Sequence, residues 1–234
     1  PLNVWVRMSY LSQNRNKGIL VMNRTVTAFS ATLFAMIAAL FLASQPVLAQ
    51  DAADIDTSDI PEMVLGNPDA EVTVIEYASF TCPHCASFHA GAFKDLKKDF
   101  IDTGKIKFIY REVYFDRQGL WAAIVARCGD GAENRYFGIA DMIYENQRGW
   151  ARQESPQDIV ESLRRFGKTA GLTDAQLDQC FSDADTAQKL YARYLQQSEE
   201  DGVTSTPTFI IDGTLYTNMP YDEMSDIIRA AIGE

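Results

Sequence analysis

Apolar and polar positions along the chain follow two periods. Residues 72–77 form a β-branched, apolar run bounded upstream by Gly66-Asn67-Pro68-Asp69, which predicts a strand. Over residues 86–100 the apolar side chains Phe88, Ala92, Phe93, Leu96 and Phe100 recur at helical spacing, predicting one helix that ends near Ile101, before Asp102-Thr103-Gly104. Residues 105–114 alternate and predict a second strand, parallel to the first through a right-handed crossover. Residues 116–201 are helical in pattern. Ser155-Pro156 reads as an N-cap followed by proline at the first helical position, and Thr173 with Gln176 as a capping box. The strand pattern returns at 208–211, turns at Asp212-Gly213, runs back through 215–217 and gives way to a closing helix over 221–232. The order is β–α–β, a long helical block, then β–β–α, without internal repeats.

Between the first strand and its helix lies Cys82-Pro83-His84-Cys85. A C-x-x-C in that position is the thioredoxin-type redox signature. The thiolate is the attacking species in disulfide exchange, and a free cysteine with a pKa of about 8.5 is little ionised at neutral pH. A helix N-terminus offers unpaired N–H groups and the positive end of the dipole, both of which favour S⁻. His84 can add a donor or a charge. Stabilising the thiolate stabilises the reduced form and makes the disulfide a stronger oxidant. Cys82 is then the exposed nucleophile and Cys85 the resolving thiol. The rival reading is a metal site: Cys82, Cys85 and His89 give C-x2-C-x3-H, suited to Cu(I) or Zn. A structural zinc wants four ligands, and the chain has two histidines and no second C-x-x-C.

The N-terminus changes the picture of the compartment. Residues 25–49 carry no charge, Arg24 precedes them, residues 33–43 are an apolar core, and Val47-Leu48-Ala49 is a small-residue cleavage signal. Residues 22–49 therefore read as a secretory signal peptide cleaved after Ala49, with Met22 as its start and residues 1–21 as an over-extended start. The apolar core is shorter than the ~20 residues of a spanning helix. Losing 1–49 removes Arg7, Arg15, Lys17 and Arg24 and no acid, so the formal charge moves from −11 to −15. That argues against nucleic acid or an anionic membrane as partner. Export suits the cysteines, because disulfides persist outside the cytosol. Residues 50–63, acidic and Ala-rich, read as a flexible leader.

Glu76 shares a strand face with Val72 and Val74, six residues before Cys82, and could shuttle a proton to or from Cys85. Thr206-Pro207 opens the hairpin. The base rate favours a trans bond there, whereas a thioredoxin topology, which brings this position to the redox motif, favours cis.

With these residues in view, the chain resembles the DsbA family of bacterial periplasmic thiol–disulfide oxidoreductases over roughly residues 64–233. The likeness rests on Cys82-Pro83-His84-Cys85, on Glu76 ahead of it, on the helical block and on Thr206-Pro207. It implies a thioredoxin fold (residues 64–115 and 203–234) with an inserted helical domain (116–202). It implies Cys82 as nucleophile, Cys85 as resolving cysteine, Glu76 as buried acid and Pro207 as a cis proline. It also implies a monomer without cofactor that oxidises newly exported proteins and is reoxidised by a DsbB-type membrane quinone reductase. Cys128 and Cys180 resemble the second, structural disulfide of alphaproteobacterial members; the loop-entropy relation gives about 4 kcal/mol for such a bond. Two departures stand out. Thr206 precedes the proline, as in disulfide isomerases, where the best-known oxidases have Val; yet residues 50–71 are too few for an isomerase's dimerisation domain. Position 89 is His where the best-known members have Glu. Isomerase or reductase chemistry, copper binding and passive binding of unfolded chains are the competing functions.

Overall fold

The computed structural model describes residues 52–234; the segments expected to be a signal peptide (22–49) and an over-extended start (1–21) lie outside the described residues. Five strands form one mixed sheet in the order β1-β3-β2-β4-β5. They are β1 (Met63–Gly66), β2 (Val72–Ala78), β3 (Ile106–Glu112), β4 (Thr208–Ile211) and β5 (Thr214–Thr217). β2 lies at the centre, parallel to β3 and antiparallel to β4. Its β-branched residues suit a strand covered on both sides, and Val72, Val74, Glu76, Tyr77 and Ala78 are all buried. The β4–β5 turn is Asp212-Gly213, both with positive φ (46° and 78°), the pair of conformations that a two-residue hairpin of this hand requires.

The helix after the cysteine motif is not continuous. It runs as α1 (Pro83–Ala90), breaks at Gly91, resumes as α2 (Ala92–Leu96) and finishes in a π turn over Lys97–Ile101. Gly91 sits at φ −126°, ψ −95°, far from helical values. The apolar spacing continued through the break, so periodicity alone predicted one helix. β1 was not predicted at all: four residues are too few to show an alternation. It ends at Gly66, where φ is +82° and an added Cβ would stand 2.5 Å from the Ile106 carbonyl oxygen.

The helical block comprises α3 (Arg117–Ala126), α4 (Ala132–Glu145), α5 (Gln147–Trp150), α6 (Pro156–Thr169), α7 (Asp174–Ser182) and α8 (Ala184–Glu200), and α9 (Tyr221–Ala231) closes the chain. Ser155 caps α6 and the Thr173–Gln176 capping box opens α7. The segment expected to be a flexible leader is instead docked on α8. The Gln196 amide donates to the carbonyls of Ala52 and Ile55 at 2.8 and 2.9 Å. Arg193 donates to the Thr57 carbonyl, Lys189 pairs with Asp59 at 2.8 Å, and Ile60 is buried. These bonds join residues far apart in sequence through backbone carbonyls, so composition could not announce them.

Three devices fasten the helical block to the sheet. Glu112, at the end of β3, accepts two bonds from Arg127 (2.6 and 2.7 Å) and one from the Tyr136 hydroxyl (2.6 Å). Asp116 caps α3 by accepting from the Gly119 N–H and also takes the Thr81 hydroxyl, both at 2.8 Å. Buried Gln147 donates through Nε2 to the carbonyls of Phe80 and Cys82 at 2.9 and 2.8 Å. Within the block, Cys128 and Cys180 form a disulfide with Cα atoms 5.8 Å apart, tying the end of α3 to α7.

Two stability outcomes follow from these fastenings. Gln147→Leu removes both bonds to the Phe80–Cys82 turn and leaves buried carbonyls seeking a donor, which costs about 1–3 kcal/mol; urea unfolding at equilibrium measures it. Cys128→Ala/Cys180→Ala releases a crosslink between residues 52 apart and is expected to lower stability by about 2–4 kcal/mol, read in the same assay under non-reducing conditions.

Candidate active site

Cys82 occupies the N-cap of α1 with extended backbone (φ −77°, ψ 121°), and Pro83 fills the first helical position, where an absent N–H is not missed. The main-chain N–H groups of His84 and Cys85 are therefore free to face the Cys82 sulfur. Both cysteines are free thiols in this structure. Cys82 is nearly buried, with 8% of its surface accessible, and Cys85 is wholly buried. Thr206 meets Cys82 from the other side: its carbonyl accepts from the thiol at 3.5 Å. The Thr206–Pro207 bond is cis and leads directly into β4.

The two thiols are driven in opposite directions. The Cys82 pKa falls to about 5, first because the Cys85 thiol donates to its sulfur, then through the Thr206 hydroxyl and the N–H groups of Cys85 and His84, all acting against desolvation. The buried Thr206 hydroxyl makes no other hydrogen bond. The Thr206 carbonyl serves the thiol, and the hydroxyl is free to serve the thiolate. The Cys85 pKa is pushed far up, chiefly by burial, with the hydrogen bond to Cys82 and the nearby charge of Glu76 adding to it. His84 was expected to add a donor or a positive charge. The structure leaves the His84 ring exposed and without a side-chain hydrogen bond, and its main-chain N–H is the donor that faces Cys82.

Beneath the cysteines, Glu76 is completely buried on β2, opposite Tyr110 of β3 and Phe209 of β4. Its two carboxyl oxygens lie 3.2 and 3.0 Å from His89 Nε2. His89 is itself buried and stacks on Tyr144, with ring centroids 4.2 Å apart and planes 16° from parallel. The Tyr144 and Tyr110 hydroxyls bond each other at 2.6 Å, and burial raises both their pKa values. His89 thus turns toward Glu76 instead of joining Cys82 and Cys85 around a metal. Among the described residues no group of three or more His, Cys, Asp or Glu is placed to hold one. Cys128 and Cys180, already bonded to each other, lie elsewhere in the helical block.

Sequence reasoning missed the His89–Glu76 pair and Gln147. The first had a signal: His89 follows Cys85 by four residues, hence on the same helix face, and Glu76 points inward from the strand below. Gln147 had none, since a buried glutamine bonding two carbonyls resembles a surface residue in sequence.

The family described as thioredoxin matches residues 57–230. The chain is 34% identical over 176 residues to a protein of Rickettsia bellii provisionally named a protein-disulfide oxidoreductase, covering 75% of this chain and 66% of that one. It is 27% identical over 191 residues to disulfide bond formation protein D of Bacillus subtilis, covering 76% and 81%. The chain spans 62–66% of the length of the rickettsial relatives. Among solved structures it resembles alpha-DsbA1 of Wolbachia pipientis, with a TM-score of 0.68 at 26% identity over 74% of this chain and 92% of that one. The fold, the cysteine turn at the head of α1 and these likenesses agree, and the chain belongs to the DsbA family of thioredoxin-fold thiol–disulfide oxidoreductases.

Proposed function

We propose that the protein is a periplasmic dithiol oxidase that introduces disulfides into reduced or unfolded exported proteins through Cys82 and Cys85, and that a DsbB-type membrane quinone reductase reoxidises it. The opposed thiols carry this reading: a Cys82 held as thiolate beside a Cys85 held as thiol favours the reduced protein, and a favoured reduced form makes an oxidising disulfide. A substrate thiolate attacks Cys82 Sγ, the Cys82–Cys85 bond breaks, and its electron pair leaves on Cys85 Sγ, which takes a proton. A second substrate thiolate then attacks the substrate sulfur of the mixed disulfide and expels Cys82 as a stable thiolate. The substrate loses two electrons and the protein gains them. A groove of about 770 Å³ lined by Pro83, Ser87 and Gln147 gives an extended chain room beside the first turn of α1. The signal-like residues 22–49 and the Cys128–Cys180 disulfide support export; among the described residues no helix is long and apolar enough to cross a membrane.

The reduction potential against glutathione tests the oxidase reading. It should lie well above the glutathione couple; a value near thioredoxin's, about −270 mV, would replace the oxidase with a reductase. Thiolate absorbance of the reduced protein should titrate with a midpoint near pH 5. The sign is that of a depressed acid. Below the ordinary thiol value of 9.0, the stability that the Cys82 thiolate lends the reduced form declines as pH falls and is gone below about 5. Thermal unfolding of both redox forms over that window should show the reduced form's advantage shrinking with acid. If Glu76 exchanges the proton of Cys85, Glu76→Gln should slow release of a mixed disulfide from Cys82 at least about tenfold, within the span typical of general acid–base groups, and leave the Cys82 midpoint near 5. Stopped-flow mixing with a peptide thiol reads it; an unchanged rate would remove Glu76 from the chemistry.

A further inference from the structure

The groove beside the first turn of α1 is basic in an acidic protein. Arg148 of α5, Arg152 just beyond it and Arg165 of α6 all line it, and Glu145 is the one acid on its walls, so the lining carries a formal charge of +2. Residues 50–234 as a whole carry −15. With 32 acidic side chains to 21 basic ones, carboxylates are plentiful, and Arg111, Arg127, Arg164, Arg193 and Arg229 each hold one. Among the described residues, Arg148, Arg152 and Arg165 hold none. Arg165 has Glu161 four residues before it, at the spacing of a helical ion pair, yet it turns to the Ser162 hydroxyl at 2.7 Å. Ser162 is buried, lines the same groove and also accepts from the Gln153 amide at 2.9 Å, which anchors the Arg165 guanidinium on the groove wall.

We infer that this groove is the docking site for an acidic segment of the client chain, whose carboxylates, a few residues from the reacting cysteine, meet Arg148, Arg152 and Arg165. The shape suits a peptide. α1 contributes only small side chains to the groove: Pro83, Ala86, Ser87 and Ala90. From Pro83 to Ala90 the helix rises about 10 Å, a length that an extended chain covers in about three residues. Pro83 adjoins Cys82, so the carboxylates fall roughly three to five residues from the client sulfur. A volume of about 770 Å³ is far larger than one carboxylate group needs. The chemistry suits an acid. A guanidinium takes a carboxylate through two parallel N–H bonds, and the apolar surfaces of Trp150 and Phe166 in the same lining leave such a pair less screened than in open water.

The protein's overall charge repels an acidic chain, but charges farther apart than about 10 Å are largely screened at 0.1 M salt. Near the groove the arginines then outweigh the distant acids. Glu145, the acid that opposes them, also borders the neighbouring cleft that holds Lys94 and Lys97, which temper its charge. Complementary charge of this kind acts on encounter and on the choice of partner more than on final affinity. It also meets a need of the chemistry. Carboxylates beside a client cysteine raise its pKa and leave less of it as thiolate, so acidic clients are slow nucleophiles. Docking on the arginines offsets that handicap for this one class of client.

The docking site presupposes the exchange roles of Cys82 and Cys85 proposed above, and one experiment tests the two apart. Oxidised protein is mixed with two dithiol peptides of equal length, one with Glu and the other with Gln near the reacting cysteine, and loss of the Cys82–Cys85 disulfide is timed at about 0.1 M and about 1 M salt. Each rate is divided by that peptide's rate with an uncharged small disulfide, which removes the effect of the carboxylates on the peptide's own thiol. The acidic peptide should lead by at least about fivefold at the lower salt and by less than about twofold at the higher. Arg148→Gln/Arg152→Gln/Arg165→Gln should bring the low-salt ratio close to one. Ala90→Glu, which sets a carboxylate in the groove and leaves the arginines in place, should lower it as well. A wild-type disulfide that neither peptide reduces would defeat the exchange reading itself. A wild type that exchanges with both peptides at a ratio near one, or variants that keep the full ratio, would overturn the docking site alone. Sedimentation of the wild type with phosphatidylglycerol vesicles, lost in the triple variant, would in that case assign the arginines to a lipid surface.

Discussion

A thiol that must remain protonated at the floor of a site whose rim holds a thiolate constrains the whole molecule. Burial is the leading cause of the raised pKa that keeps the Cys85 proton in place beside the Cys82 thiolate. The helical block supplies that cover. Phe80, Tyr110, Tyr136 and Tyr144 form a contiguous aromatic group at the junction of sheet and helices. Aromatic rings exclude water over a large area while their hydroxyls find partners in one another or in Glu112. The rim needs the opposite treatment: a helix start with unspent N–H groups, and an accepting carbonyl and a donating hydroxyl on one residue, Thr206.

Such fine placement requires a turn that does not drift. The Phe80–Cys82 turn is held by Gln147 from the helical side, by Asp116 through Thr81, and by β2 below. The insertion thus serves as a lid over Cys85 and as a brace for Cys82. Buried polar contacts suit the second task, because hydrogen bonds fix direction where apolar contact fixes only proximity.

The sequence made the local features plain and hid those formed by distant partners. Cys82-Pro83-His84-Cys85 is a contiguous string, and its place between strand and helix could be read from periodicity. The capping residues Ser155 and Thr173, the Asp212-Gly213 turn and the central strand were equally visible, since each rests on neighbours in sequence. Gly91 was invisible as a break because the apolar spacing runs across it. The docking of residues 52–60 on α8, the clamp at Gln147 and the turning of His89 toward Glu76 all join residues far apart or on different elements. Composition predicted a loose leader where side-chain amides capture backbone carbonyls. For His84 the sequence drew attention to the imidazole and gave no sign of the peptide N–H that faces Cys82.

The topology has a consequence for the order in which the chain can become a redox protein. β2 pairs with β4, so Val74 waits for Ile211, with the entire helical block lying between them in sequence. A polypeptide emerging N-terminus first presents the cysteine turn long before Thr206, the brace from Gln147 or the strap at α8 exists. Pairings of such long range are slow to close. During that interval Cys82 and Cys85 are ordinary thiols on an unfinished chain, vulnerable to the same thiol–disulfide exchange that characterises the family. The long-range closure of the sheet is therefore the event that separates a substrate of disulfide exchange from a catalyst of it.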